Sequence, residues 1–548
     1  MLDRAAVDAL FPSDLPDPEH WEQQYPQRQL PEGAKVTRLG PSPTGFIHIG
    51  GIYAGMIDRD VAHHSGGVYL LRVEDTDRSR EVEGAVEQFD RAFDHFGVHP
   101  DEADGRGAYG PYLQSQRAEI YWSYVRELMR DGKAYPCFAT KDELDDITAR
   151  QRAAKLPTGY YGRWATWREA SDEDVAARLA AGEPYVVRFR SPAVPGERVR
   201  FTDAIRGELE HDANVNDTVI LKSSDQDLRL PTYHFAHAVD DHLMRVNLVI
   251  RGDEWISSVP LHLQLFAALG FEQVEYAHIA PLMKQEGKSR RKLSKRKDPE
   301  AAVDFYVQAG YPADAVRYYL RGLANGRLAE LPLEQALAEP IVLSECGVAG
   351  PLVDLVKLAD ISANLIATLS GEDIVTAVSA WAAVHDPELV GVLETERAMA
   401  LRALDVERVG VDNPRKDLRM WSDFRPAYGF FFTSVFALVD DPADERLGGL
   451  DPKLVSVFAA DFAEGYQEFS DQQEWFGQIR ELAARHGFAP NAKEFKKNPD
   501  AFPGSIREAS QLIRVALTGS TQSPDLYAVA RALGTDEVLR RVRALAQA

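Results

Sequence analysis

Alternating apolar and polar stretches in the first hundred residues predict a parallel α/β sheet. A short apolar run over 36–39 is typical of a strand, and residues 52–64 after it have helical spacing. A second apolar run at 68–73 precedes another helical pattern at 81–97. Strands that alternate with helices pair in parallel, and open sheets of this kind bind ligands at the carboxyl ends of their strands.

The pattern changes after residue 114. Between 115 and 230, helical stretches are mixed with short strands such as 185–190, which indicates an α+β insertion. Alternating strands and helices return from 231 to about 280, and beyond 300 the sequence is almost entirely helical. Amphipathic stretches there cover 300–325, 395–408, 451–465 and 524–546. Residues 1–34 show little periodicity, so we expect an irregular extension.

Composition is that of a globular protein with several domains. The 548 residues are 45% hydrophobic and 27% charged, and no apolar run reaches the length of about 18 residues that a membrane helix needs. The first four residues lack the charged and apolar regions of a secretory signal. The two cysteines, Cys137 and Cys346, form no disulfide framework and fit a reducing cytoplasm.

Charge is unevenly distributed along the chain. The net charge of −23 alone argues against a nucleic-acid partner, because phosphate backbones attract Lys and Arg. Residues 284–297, however, carry eight Lys and Arg side chains and one acid, Glu286. Such a run is usually a solvated basic loop. The motif inside it, Lys292-Leu293-Ser294-Lys295-Arg296, allows a second interpretation.

A phosphate site is indicated between the first predicted strand and helix. Residues 40–50 read Gly-Pro-Ser-Pro-Thr-Gly-Phe-Ile-His-Ile-Gly. Backbone N–H groups at a helix N-terminus bind phosphate, and glycines let the backbone approach it closely. His48 is suited to donate a hydrogen bond to a phosphate oxygen, and the lysine-rich loop to stabilise a leaving pyrophosphate. The two segments together indicate a site for a nucleoside triphosphate.

Both segments resemble the HIGH and KMSKS signatures of class I aminoacyl-tRNA synthetases, and the flanking residues are similar to those of the glutamyl-tRNA synthetase family. Lys292 and Lys295 match the two signature lysines, whereas Leu293 replaces the methionine and Arg296 the final serine. The resemblance runs from about residue 35 to the end of the chain. It implies an α/β Rossmann-type nucleotide-binding catalytic domain with an α+β insertion, followed by all-α anticodon-binding domains.

The resemblance also implies boundaries, substrates and location. The predicted ranges are 1–34 for the N-terminal extension, 35–114 and 231–335 for the two halves of the catalytic domain, 115–230 for the inserted acceptor-binding domain, and 336–430 and 431–548 for two helical anticodon-binding domains. The implied activity is that of a glutamate–tRNA ligase, which joins L-glutamate to tRNA(Glu) with ATP and Mg²⁺. We expect a monomer in the cytoplasm, without a membrane partner.

A glutamate site needs at least one guanidinium for its two carboxylates and an acid for its ammonium group. The resemblance assigns Arg38 to the side-chain carboxylate, with help from Tyr233, and Arg251 to the α-carboxylate. It assigns Glu74 to the α-ammonium group and Ser42 to the wall of the same pocket.

The remaining implied contacts are with ATP and tRNA. His48, Lys292 and Lys295 are the expected catalytic residues. ATP contacts are expected from Thr44, Gly50, Glu254, Met283, Lys292, Leu293, Ser294, Lys295 and Arg296. Arg415 is the expected anticodon contact, and an ordinary arginine at a helix end stays an open alternative.

Two candidate metal sites receive negative predictions. His234, His237 and His242 lie near Asp240 and Asp241, which are the residue types of a metal site. The segment is similar, however, to one that binds no metal in the family.

For zinc, the resemblance implies a cysteine-rich site that some glutamyl enzymes carry in the insertion. Cys137 is retained, but Ala139 and Trp167 stand where related sequences have further cysteines. One thiol does not build that site, and we predict no zinc. Other departures are Gly40 in place of alanine, His237 in place of asparagine, and a longer connection at 221–230.

Three alternatives stay open to different degrees. A non-discriminating enzyme would also load glutamate onto tRNA(Gln). A catalytically idle paralogue would act only as an RNA-binding module, which the intact candidate residues oppose. A shorter relative that modifies a tRNA base lacks helical C-terminal domains, and their presence here argues against it.

Overall fold

The computed structural model describes residues 2–43, 45, 47–77 and 84–547. It divides into two compact units: one comprises the chain up to residue 305 together with 316–354, and the other comprises 306–315 and the chain from 355 onward. In the ranges described, no helix has both the length and the apolarity to cross a bilayer.

The strands are β1 (Val36–Leu39), β2 (Val68–Leu71), β3 (Ala134–Cys137), β4 (Val186–Phe189), β5 (Arg198–Asp203), β6 (Gly207–Asp212), β7 (Val219–Leu221), β8 (Leu248–Gly252), β9 (Glu275–Ile279), β10 (Met283–Glu286) and β11 (Ser289–Lys292).

The α-helices are α1 (Arg4–Asp8), α2 (Pro18–Gln24), α3 (Ile49–His64), α4 (Ala85–Phe96), α5 (Ala118–Arg130), α6 (Lys141–Ala153), α7 (Asp172–Ala180), α8 (Tyr233–Leu243), α9 (Val259–Leu269), α10 (Val303–Ala309), α11 (Ala313–Ala324), α12 (Leu333–Ala338), α13 (Leu355–Thr368), α14 (Gly371–His385), α15 (Pro387–Thr395), α16 (Arg397–Asp405), α17 (Phe424–Tyr428), α18 (Pro452–Gly465), α19 (Gln472–Arg485), α20 (Ala492–Lys497), α21 (Ile506–Thr518), α22 (Leu526–Leu533) and α23 (Thr535–Ala546).

Parallel strand pairs form the centre of the first unit. β1 pairs with β2, and β8 pairs with β9, both in parallel. Asn247 connects the two pairs, because its N–H donates to the Val36 carbonyl (3.1 Å) and its Oδ1 accepts from the Val36 N–H (2.8 Å). The buried helix α3 connects β1 to β2. The predicted α/β fold with parallel strands is confirmed, and the carboxyl ends of the strands carry the candidate site residues.

The inserted segment contributes two antiparallel groups of strands. β3, β4 and β7 form one sheet. β5 and β6 form a hairpin, and Asp203 at the end of β5 pairs in parallel with Tyr276 of β9. The insertion therefore extends the sheet that contains β8 and β9.

The N-terminal extension is not irregular as expected, since it contains the short helices α1 and α2. Asp3 caps α1 by accepting from the Ala6 N–H (2.8 Å). In α2, the buried Trp21 donates from its indole nitrogen to Ser123 Oγ of α5 (2.9 Å). Helices this short show no periodicity, and packing rather than propensity stabilises them.

Two long helical predictions near the start and end of the C-terminal part are each broken in two. Gly310, with φ +79°, separates α10 from α11, and Gly534, with φ +83°, separates α22 from α23. Positive φ is a conformation that glycine adopts without a steric cost, and it ends a helix. The second unit is otherwise helical around a large apolar core, as predicted.

Candidate active site

His48 caps the N-terminus of α3 at the end of the Gly/Pro turn. Its Nδ1 accepts a hydrogen bond from the Gly50 N–H (2.8 Å), so the neutral ring carries its proton on Nε2. Burial lowers the pKa of His48, and the charges of Lys295 and Lys292 lower it further. A hydrogen bond with the Leu293 backbone raises this pKa but does not outweigh the other effects. The imidazole is therefore neutral at pH 7, and its single N–H is directed at the Leu293 backbone.

The antiparallel hairpin of β10 and β11 carries the lysine-rich motif. Met283 pairs with Lys292, and the turn contains Gly287 with φ +59°. Directly after the hairpin, the buried Leu293 donates from its N–H to the Leu282 carbonyl (2.9 Å). The hairpin therefore fixes where the motif begins.

Asp298 forms hydrogen bonds both with the last strand of the hairpin, β11, and with the loop that follows it. Its carboxylate accepts two hydrogen bonds from the Arg291 guanidinium (2.6 and 2.8 Å) and one from the Ser294 N–H (2.9 Å). These bonds lower the pKa of Asp298 to about 2.

The two motifs are adjacent in space. The Val303 N–H donates to the Ile47 carbonyl (3.2 Å), and His48 forms an antiparallel bridge with Ala302. The chain that leaves the lysine-rich loop is thus hydrogen-bonded to the chain that enters α3.

A cleft of about 650 Å³ lies between the motifs. The predicted site residues that line it are His48, Gly50, Glu254, Lys292, Leu293, Ser294, Lys295 and Arg296. Lys292 Nζ lies 2.8 Å from Glu254 Oε1, within the cleft. Met283 lies beside the cleft, with its side chain against Gly350. Thr44 lies outside the described residues.

The candidate glutamate residues form a second cluster. Arg38 lies on β1, Glu74 follows β2, Tyr233 begins α8 and Arg251 lies on β8. The Arg251 guanidinium lies 3.5 Å from the Tyr233 hydroxyl, and Arg38 and Glu74 are linked through Asp241 and Arg72. Burial raises the pKa of Tyr233. Ser42 is exposed on the turn.

Beneath this cluster lies a buried ionic network that sequence reasoning missed. Asp241 accepts from Arg38 Nε (3.3 Å) and forms an ion pair with Arg72, which also donates to Glu74 Oε1 (3.2 Å). The neighbouring Asp240 accepts from Arg117 of the inserted segment (2.7 Å). The adjacent aspartates are the available signal in the sequence, although among nearby histidines they indicate metal ligands rather than partners for arginine.

Gly40 accounts for the placement of Glu74. A Cβ atom at position 40 would lie 2.3 Å from Glu74 Oε1, which is closer than contact distance. The Glu74 carboxylate therefore packs directly on the Gly40 backbone. Burial raises the pKa of Glu74, while Arg72 and Arg38 oppose that shift.

Comparisons with known proteins identify the family of this chain. A family model described as "tRNA synthetases class I (E and Q), catalytic domain" matches residues 35–338, and an anticodon-binding domain model matches 503–546. The glutamate–tRNA ligase of Clostridium perfringens is 40% identical over 542 residues, covering 97% of this chain and 98% of that protein. That of Acetivibrio thermocellus is 40% identical over 548 residues, covering 98% and 99%. The chain belongs to the glutamate–tRNA ligase family.

Solved structures of the glutamate–tRNA ligase family share the fold. The crystal structure of a glutamate tRNA ligase from Elizabethkingia meningosepticum in complex with its amino acid aligns with a TM-score of 0.75 and 26% identity, covering 94% of this chain and 99% of that one. The glutamate-tRNA synthetase of Elizabethkingia anophelis aligns with a TM-score of 0.73. The predictions of family, fold class and enzyme class are confirmed.

The three histidines that suggested a metal site face different partners in this family member. His234 Nδ1 lies 2.9 Å from His262 Nε2, and His242 Nε2 lies 2.7 Å from a Glu22 oxygen. His237 is fully buried, 3.1 Å from the Tyr276 hydroxyl. Within the described ranges, no group of three potential ligands converges.

The single thiol of the inserted segment lies in a small apolar core. Cys137 accepts a hydrogen bond from Arg188 Nε (3.3 Å), and Arg188 stacks over Tyr160 (4.2 Å). Trp167 packs against Phe138 (ring centroids 4.9 Å apart). Aromatic and guanidinium groups thus surround Cys137.

Arg415, the anticodon candidate, lies in the second unit. Its guanidinium is 3.1 Å from an Asp417 oxygen, with 22% of the side chain exposed. Its N–H donates to the Glu407 carbonyl (3.0 Å). The side chain is partly available to a ligand, and its role stays a prediction.

Proposed function

We propose that this protein activates L-glutamate with ATP and transfers it to the 3′ end of tRNA(Glu). One observation carries the proposal: the imidazole of His48 and the ammonium of Lys295 line the same cleft. The cluster of Arg38, Arg251 and Glu74 supports an amino acid with two carboxylates and one ammonium group.

The first step is attack by an oxygen of the glutamate α-carboxylate on the α-phosphorus of ATP. A bond forms between this oxygen and phosphorus, the bond from phosphorus to the bridging oxygen breaks, and pyrophosphate leaves. ATP enters as its magnesium complex, with the metal held mainly by phosphate oxygens. Catalysis is chiefly positioning and charge stabilisation, so no protein base is required.

The cleft supports this chemistry through its charges. The N-terminus of α3 and the His48 N–H favour phosphate oxygens. Lys292 and Lys295 stabilise the departing pyrophosphate. Lys292 lies 2.8 Å from Glu254 Oε1, so two of the expected ATP contacts are adjacent in the cleft.

In the second step, a terminal ribose hydroxyl of tRNA attacks the carbonyl carbon of the glutamyl-adenylate. The ester bond forms, the bond to the phosphate oxygen breaks, and AMP leaves. Arg415 contacts the anticodon, whose unstacked bases are read by hydrogen bonds and stacking on planar groups. The protein acts as a monomer in the cytoplasm. It needs no zinc, because Cys137 is a single thiol and a structural zinc site needs several such ligands.

The test is glutamate-dependent exchange of pyrophosphate into ATP, measured with and without tRNA(Glu). Exchange under either condition is expected, and its absence under both would refute the activity. Charging of purified tRNA(Glu) and tRNA(Gln) then distinguishes a discriminating from a non-discriminating enzyme. Light scattering of the purified chain tests the monomer, and metal analysis tests the absence of zinc.

A further inference from the structure

Arg251 is a buried arginine on β8. Its side chain stacks on the ring of Tyr276 (4.9 Å), and the residue is 6% exposed. Among the described residues, no carboxylate lies within ion-pair distance of it, whereas Arg38 and Arg72 both pair with Asp241. Within the part of the chain that the structure describes, no acid therefore pairs directly with Arg251.

Two histidines hold the guanidinium instead. Arg251 Nε donates to His278 Nε2 (3.1 Å), and a terminal nitrogen donates to His262 Nδ1 (3.2 Å). Arginine has only donors, so both of these imidazole nitrogens are unprotonated acceptors. Burial lowers the pKa of His278 and of His262, and the charge of Arg251 lowers both further. Both rings are neutral.

These constraints fix the proton on the far side of His278. With Nε2 as acceptor, Nδ1 carries the proton and donates to Asp203 Oδ2 (2.6 Å). Asp203 Oδ1 accepts from the N–H groups of Ile205 (3.0 Å) and Arg206 (2.9 Å). Burial raises the pKa of Asp203, but the hydrogen bond from His278 and those from the backbone outweigh it, and the net pKa is lowered.

The same logic extends on the other side of Arg251. Since His262 Nδ1 accepts, His262 Nε2 carries the proton and donates to His234 Nδ1 (2.9 Å). Hydrogen bonds thus run in one direction outward from the guanidinium on both sides, and no donor faces another donor.

We propose that Asp203 and His278 are positioning residues that orient Arg251 toward the α-carboxylate of glutamate without neutralising its charge. An acid in direct contact with Arg251 would compete with the substrate. A neutral imidazole between the two fixes the guanidinium and leaves its charge for the ligand. Asp203 lies on β5, so the inserted segment helps to form the amino-acid site. This inference rests on the proposed function.

The decisive variant is Asp203→Asn. Because Oδ1 already accepts two N–H groups, the new amide nitrogen faces His278, where it opposes the imidazole N–H. The ring must then turn or exchange its proton, and Arg251 loses an acceptor. We expect the KM for glutamate to rise about tenfold or more, with the KM for ATP changed less than about threefold.

Two variants of His278 supply a matched pair. Gln in His278→Gln can accept from Arg251 and donate to Asp203, as the imidazole does, whereas His278→Phe can do neither. We expect the KM for glutamate to stay within about threefold in the first and to rise about tenfold or more in the second.

Circular dichroism monitors folding, and wild-type charging of tRNA(Glu) tests the proposed function separately. If the wild type charges tRNA and Asp203→Asn leaves the KM for glutamate unchanged, the positioning role of Asp203 and His278 is refuted while the proposed function stands. If Asp203→Asn does not fold, the two His278 variants decide. Equal KM values for glutamate in His278→Gln and His278→Phe would refute the positioning role of His278.

Discussion

Glu74 is the residue whose charge is expected to decide how the glutamate ammonium group binds. It is buried, it receives a hydrogen bond from Arg72, and its carboxylate lies directly on Gly40. In Glu74→Gln, the amide can still accept from Arg72, but the negative charge is lost. We expect the KM for glutamate to rise about tenfold to a hundredfold, because hydrogen bonds between charged groups are the strong ones.

Steady-state charging at saturating ATP and tRNA measures this effect. Glu119→Gln on the exposed face of α5 is the matched control and should leave the KM for glutamate unchanged. An unchanged KM in Glu74→Gln would exclude the role of Glu74 in ammonium recognition.

Lys295 is expected to act on departing charge. In Lys295→Ala, pyrophosphate leaves without one of its cations, so kcat for activation should fall about a hundredfold or more. The KM for glutamate should change less than about threefold, because the lysine lines the cleft rather than the glutamate cluster.

Single-turnover formation of glutamyl-adenylate measures the two constants separately. Lys297→Ala, an exposed lysine that does not line the cleft, is the control. Comparable losses in kcat and in glutamate affinity would contradict a role confined to the leaving group.

Contiguous motifs made part of the site predictable from sequence. His48, Lys292 and Lys295 lie within short signatures, and the structure brings them to one cleft. Asp203 and Asp241 were not predicted to support arginines. Asp241 lies 203 positions from Arg38, and no local pattern indicates such a pair.

At the scale of elements, α2 is expected to contribute to stability through its packing on α5. Trp21 is 8% exposed, belongs to the same apolar cluster as Val125 and donates to Ser123 Oγ. Trp21→Ala leaves a cavity and an unpaired hydroxyl acceptor, and we expect the free energy of unfolding to fall by about 3 kcal/mol.

Chemical denaturation of the full chain, followed by circular dichroism, measures this loss. Gln23→Ala changes an exposed position of the same helix and should alter the free energy of unfolding by less than about 0.5 kcal/mol. Equal effects of the two variants would mean that α2 does not depend on the tryptophan.

Element prediction succeeded where apolar periodicity was long or strands were buried. β1 covers the residues predicted, and α18 begins one residue later than predicted. The hairpin of β10 and β11 was missed because its Lys and Arg side chains hide the strand pattern. Gly310 and Gly534 end helices through their backbone conformation, although the apolar periodicity continues past them.

At the scale of the whole molecule, buried neutral histidines are expected to make stability depend on pH. Burial lowers the pKa of His237 to about 3, although Asp241 opposes the shift. Burial and the charge of Arg251 lower the pKa of His234 to about 4. An unfolded histidine has a pKa of about 6.5. Below that pH the unfolded chain binds protons that the folded protein does not, so the free energy of unfolding falls on acidification.

The free energy of unfolding depends on these histidines between about pH 6.5 and their pKa values in the folded protein. Above about pH 6.5 they add no pH dependence to it. His237→Gln should therefore reduce the loss of stability by at most about 1.4 kcal/mol per pH unit. Denaturation at pH 7 and pH 5 measures the difference. His385→Gln, at an exposed position of α14, is the control, and a slope unchanged by His237→Gln would contradict the neutral state of that ring.

The Asp298 carboxylate stabilises the lysine-rich loop through hydrogen bonds with Arg291 and with the Ser294 N–H. The Arg291 guanidinium and the Ser294 N–H both donate to Asp298, and these bonds hold the backbone between residues 291 and 294 beside the cleft. These hydrogen bonds of Asp298 use neither the side chain at 293 nor the side chain at 296. Both signature lysines, Lys292 and Lys295, line the cleft although two other residues of the signature differ.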